Sequence, residues 1–124
     1  MPSGFGVILR QYRERAGLSQ RAVARVSRIN PATVSRMESD DRGPSGPDQV
    51  TALATALHLN DEEFDRLLAS AGYWPRSVLR LGPLDETLLQ VARVLTAEEL
   101  DAPSRSRFRE VVALLAAQWT PGKG

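Results

Sequence analysis

The chain contains no cysteine. That excludes disulfides, thiolate metal sites and cysteine nucleophiles, and makes a reducing, cytoplasmic setting the expectation. It has one histidine, His58, with no partner at metal-ligand spacing, and no Gly-rich loop of the kind that cradles phosphate. No enzyme activity, cofactor or metal is therefore expected. No stretch approaches 18 consecutive apolar residues, and the opening "MPSGFG" lacks a basic region ahead of an apolar one. Neither a membrane span nor a signal peptide is expected. The alternation that marks half-buried strands is missing too, as are internal repeats and low-complexity tracts.

What remains is a chain of 124 residues. It is long enough for one compact domain, or for a small domain with an appendage, without a disulfide or metal staple. The formal net charge of +1 hides an uneven distribution. Residues 1–47 carry eight arginines against four acids, a balance of +4, while residues 48–75 carry one arginine against five acids, a balance of −4. The remainder balances at +1. A basic third beside an acidic stretch is the footprint a polyanion would meet on one side.

Helical spacing organises the chain. A first helix is predicted over about Gly4 to Ala16, with Phe5, Ile8, Leu9, Tyr12 and Ala16 on one face and Gly17 ending it. Ser19 is a good N-cap for a second helix whose apolar stripe is Ala22, Val23 and Val26. After a tight turn at Ser27-Arg28-Ile29, Asn30 caps a third helix. Pro31 takes its first position, where a missing N–H costs nothing. The polar loop "DDRGPSGP" leads to a fourth helix, about Pro47 to Leu57, at whose end His58 favours the dipole. Asn60 caps a fifth, Asp61 to Ala71, with Phe64, Leu67 and Leu68 inward and Gly72 as its stop. Residues 73–83, "YWPRSVLRLGP", read as a linker or docking strap, with Tyr73 and Trp74 clasping the two halves. Two further helices are predicted, about Leu84 to Leu95 and about Pro103 to Trp119, and "TAEEL" between them fits a capping box of Thr96 with Glu99. Residues 1–3 and 120–124 are expected to fray.

The segment "LRQYRERAGLSQRAVARVSRINPATVSRMES" resembles the helix-turn-helix of lambdoid phage repressors and Cro, the XRE family. The likeness rests on Arg13, Gly17-Leu18-Ser19-Gln20, Val23-Ala24, Ile29, Val34-Ser35-Arg36 and Glu38, then "LATAL" at 53–57, and spans roughly residues 4–72. It implies an all-α fold, a five-helix repressor-like DNA-binding domain over 1–72, with a C-terminal helical extension. Arg13 and Glu38 then match a buried cross-helix ion pair, and Ala24 a close crossing of the two motif helices. Gln20 matches a glutamine that grips a DNA phosphate at a helix start. The third helix would lie in the major groove. Pro31, Ala32, Thr33, Ser35 and Arg36 occupy the reading positions, with Arg36 suited to guanine and the Ala32 and Thr33 methyls to thymine. The implied DNA-facing set is Ser19, Gln20, Arg21, Arg28, Asn30, Ala32, Thr33, Ser35, Arg36, Ser39 and Arg42. Arg28 stands in the turn where many members carry glycine.

The helices of 84–119 admit two readings: packing back on the first domain, or a helical hairpin that dimerises with a second copy. Two helices alone bury too little to be independent. Repressors of this type act as two-fold dimers, which favours a homodimer through Leu84, Leu88, Val91, Leu95, Phe108, Val111, Val112, Leu115 and Trp119. The function implied is a sequence-specific transcriptional regulator, a repressor, bound to a pseudo-palindromic operator of double-stranded DNA. The rival is an antitoxin-like module that binds a partner protein through its C-terminal helices and autoregulates its operon.

Overall fold

A computed structural model of the chain describes residues 4–82 and 84–120. The expectations for residues 1–3 and 121–124, and for Pro83 of the linker, lie outside the described residues. Eight helices and no strand occur among the described residues. None of these helices is long and apolar enough to cross a membrane. The chain divides into two units, Met1–Leu81 and Gly82–Gly124.

In the first unit, α1 (Phe5–Arg15), α2 (Gln20–Ser27), α3 (Pro31–Glu38), α4 (Pro47–Ala56) and α5 (Asp61–Ser70) surround one core. Local chemistry explains most of their ends. Ser19 Oγ accepts the Ala22 N–H at 3.0 Å, and Asn30 Oδ1 accepts the Ala32 N–H at 2.8 Å. At α5, Asn60 and Glu63 exchange side-chain and backbone hydrogen bonds in a reciprocal capping box. Gly17 and Gly72 take the left-handed conformation just past α1 and α5. The core is filled by Phe5, Leu9 and Tyr12 of α1, Val23 and Ala24 of α2, Ile29 of the turn, and Val34 and Met37 of α3. Val50, Leu53 and Leu57 join from the α4 region, and Leu67 and Leu68 from α5.

Val26 corrects the stripe expected for α2, because it is 59% exposed. With about 100° per residue, the inward arc of this helix is centred between Val23 and Ala24. That arc takes in Gln20 and Ser27 and leaves Val26 to one side. Gln20 and Ser27 are accordingly half-buried, and both side chains are hydrogen-bonded.

Residues 73–81, expected as linker, belong to the first unit and contain a helix, α6 (Arg76–Leu81). Tyr73 packs against the core, whereas Trp74 is exposed. Asp65 Oδ1 accepts both the Arg76 N–H at 3.0 Å and its Nε at 3.3 Å, and the Arg76 guanidinium lies 4.0 Å over the Phe64 ring. Burial pushes the Asp65 carboxyl up, but hydrogen bonds from Arg76 and Ser77 outweigh it and hold the group below its ordinary value.

The second unit holds α7 (Glu86–Thr96) and α8 (Ala102–Trp119), capped by Asp85 and Asp101. The predicted Thr96–Glu99 box does not form. Thr96 stays inside α7 and donates its hydroxyl to Ala92 O at 2.7 Å, leaving Asp101 to start α8. The turn is instead gathered by Arg105, whose guanidinium donates to the carbonyls of Leu95, Ala97 and Leu100, each at 2.9 Å. Thr120, expected in the frayed end, donates its N–H and hydroxyl to Ala116 O. No described residue of this unit is buried.

Candidate nucleic-acid interface

The motif is built from α2, a three-residue turn and α3. At the end of α2, Ser27 donates its hydroxyl back to Val23 O at 2.6 Å. Arg28 then turns left-handed, with φ 60° and ψ 33°, and both its N–H and that of Ile29 close on Ala24 O. Ile29 is buried beneath the turn. A non-glycine residue in this conformation costs roughly 1–2 kcal/mol. Arg28→Gly is therefore expected to raise stability by about 0.5–1 kcal/mol in thermal unfolding, since the turn is kept and its strain removed. A lower melting temperature for Arg28→Gly would refute that account of the turn.

Three helices meet at Glu38, whose side chain is 4% exposed. Its Oε2 accepts Arg13 Nε at 2.5 Å, and its Oε1 accepts Arg13 Nη2 at 2.9 Å and Gln20 Nε2 at 3.0 Å. Arg13 Nη1 also donates to Leu18 O at 2.9 Å. The hydrogen bond to Glu38 raises the pKa of Arg13 above its ordinary value, so the guanidinium stays charged. Gln20 is thus oriented from below by a carboxylate at the N-terminus of α2.

The first turn of α1 and the end of α3 approach even more closely. The Gly6 N–H donates to Asp40 Oδ1 at 3.1 Å. A Cβ on Gly6 would stand 2.5 Å from Glu38 O and 2.6 Å from Met37 O. Sequence reasoning missed both residues. The available signal was a glycine inside the predicted helix of "GFGVILRQ", where glycine is unfavourable unless another backbone comes near.

On the outward side of α3, Pro31, Ala32, Ser35 and Arg36 are exposed, and Thr33 is half-buried. Asn30, Ser39 and Arg42 are exposed at its ends, with Ser39 Oγ bonded to Arg36 O at 3.0 Å and Arg42 Nε to Gly43 O at 3.4 Å. On α2, Ser19 and Arg21 are exposed, Ser19 with its oxygen engaged as the cap. Arg25 joins them, exposed one turn after Arg21 on α2 at the i, i+4 spacing, with Arg28 exposed in the turn that follows. The sequence reading counted Arg25 in the charge balance but left it out of the site, although this spacing was visible. None of Arg21, Arg25, Arg28 and Arg36 has an ion-pair partner among the described residues. By contrast, Arg10, Arg13 and Arg15 of α1 are all paired with acids. The motif thus carries four guanidinium groups that no acid among the described residues neutralises. No three His, Asp or Glu side chains among the described residues are placed to hold a metal ion.

No curated protein and no solved structure matches the chain. A family model described as a helix-turn-helix domain matches residues 5–67, just over half of the 124, from the first residue of α1 into α5. The chain belongs to the helix-turn-helix domain family.

Proposed function

We propose that the chain is a sequence-specific DNA-binding regulator of transcription, of the XRE type and acting as a repressor. α3 enters the major groove, and Arg36 pairs with guanine O6 and N7. Arg21, Arg25, Arg28 and Arg42, with Ser19, Gln20, Asn30 and Ser39, face the phosphates and set the register. The observation that carries the reading is the exposed side of α3, where the Arg36 guanidinium has no partner among the described residues. Arg36→Ala is expected to weaken operator binding about 10–100-fold while leaving the melting temperature unchanged, because the side chain supports nothing in the fold. Unchanged affinity for both operator and random duplex would move the reading face elsewhere.

The second unit supplies the two-fold pairing. Leu84, Val111, Leu115 and Trp119 are more than half exposed, Val91, Leu95, Phe108 and Val112 are half-buried around the groove between α7 and α8, and Leu88 is half-buried on α7. From Val111 to Trp119 the chain has no charged residue. An apolar helix end of this kind is suited to a second copy, which places two copies of α3 one helical turn (about 10 base pairs) apart. Leu115→Glu should yield a monomer by sedimentation and a much weaker operator complex. A variant that sediments as wild type would remove this pairing surface.

A further inference from the structure

The face that α3 turns outward is chemically lopsided. Its first turn presents hydrocarbon: the Pro31 ring and the Ala32 methyl are exposed, and half-buried Thr33 adds another methyl. One turn later comes Arg36, the single long donor on the face. The side chains that pair bidentately with adenine are amides, and those that accept from cytosine are carboxylates. On this face both are engaged: Asn30 Oδ1 accepts the Ala32 N–H, which fixes that amide as the helix cap, and the Glu38 carboxylate is committed to Arg13 and Gln20.

Two features of a major groove suit such a face. One is the O6/N7 edge of guanine, which fits the Arg36 fork. The other is the groove's only hydrocarbon group, the 5-methyl of a pyrimidine. Ala32 and Thr33 lie four and three residues before Arg36, on the same side of the helix. Four residues span about 6 Å of helix axis. Helical side chains lean toward the N-terminus, which carries the Arg36 fork back over those methyls and shortens the offset toward one base step of about 3.4 Å.

We infer that the operator half-site contains a pyrimidine–guanine step whose pyrimidine carries a 5-methyl group, TpG or 5-methyl-CpG. Arg36 takes the guanine, and Ala32 with Thr33 covers the methyl. This deepens the DNA-reading function proposed above and rests on it. It also makes cytosine methylation at such a step a change the protein reads directly.

The test selects duplexes from a random pool with the full chain, then varies the enriched half-site. At the pyrimidine, thymine is compared with deoxyuridine, and 5-methylcytosine with cytosine. Each methylated base is expected to bind about fourfold more tightly than its unmethylated counterpart, the ratio for one buried methyl group. Replacing the guanine with 7-deazaguanine, which lacks N7, is expected to cost about tenfold. Ala32→Gly combined with Thr33→Ser should erase the thymine–deoxyuridine difference. Because the base analogues alter only the DNA, they read the contact without relying on the fold of any variant. A pool with no enriched sequence overturns the DNA-reading function and this step with it. Enriched half-sites lacking a pyrimidine–guanine step, or binding that is indifferent to the 5-methyl, overturn this step alone.

Discussion

Glu38→Ala is expected to lower the stability of the first unit by about 3–5 kcal/mol, the usual cost of removing one partner of a buried pair. The cost arises from what is left behind. Arg13 is only 12% exposed, and a guanidinium does not shed its proton to relieve its isolation. Gln20 loses its acceptor in the same step, and the remaining bond from Arg13 to Leu18 O cannot neutralise the charge. Replacing both ends with apolar side chains of similar size, Arg13→Met with Glu38→Leu, should recover most of the loss, because no charge is then stranded. Denaturant unfolding of the two single variants and the double variant closes the cycle. A Glu38→Ala cost below about 1 kcal/mol would mean that the pair is solvated.

Gly6→Ala is expected to cost about 3 kcal/mol, at the upper end of the range for overpacking. In an ordinary helix interior the same change is stabilising by about 1 kcal/mol, so the sign itself is diagnostic. The added Cβ would meet the carbonyl oxygens of Met37 and Glu38, which are backbone atoms and cannot rotate away as a side chain can. Relief requires α1 to move off α3, which would also stretch the bond from Gly6 N to Asp40. For a unit of this size, the loss corresponds to a fall in melting temperature of more than about 10 °C. Gly43→Ala, where a Cβ meets open space, is the control and should stay within about 0.5 kcal/mol. Equal melting temperatures for the two variants would show that α1 and α3 do not cross as closely as described.

Residues near in sequence and residues near in space contributed differently to what could be read in advance. The starts of α2, α3 and α5 were legible because Ser19, Asn30 and Asn60 cap them through atoms two or three residues away. The left-handed Arg28 was signalled only by the family resemblance, as an arginine where many members carry glycine. Thr96 shows the limit of local patterns. Its spacing to Glu99 suited a cap, but back-bonding to Ala92 extended α7 instead. Helix α6 left no such mark. It has six residues, none buried, and Arg76 at its start is held by Asp65, eleven positions earlier.

By itself the sequence determined the all-helical class, the capped helix starts, and a basic first third carried on the short helices of a turn. These follow from interactions within about four residues and from charges that no folding can remove. The tertiary structure alone decided which arc of α2 is covered, sending Val26 outward and Gln20 inward. It also decided that Gly6 must lack a side chain, and that Arg21, Arg25, Arg28 and Arg36 stay unpaired while the arginines of α1 do not. Burial and pairing depend on what packs opposite, and the opposing residue lies 34 positions away for Gly6 and 18 for Gln20.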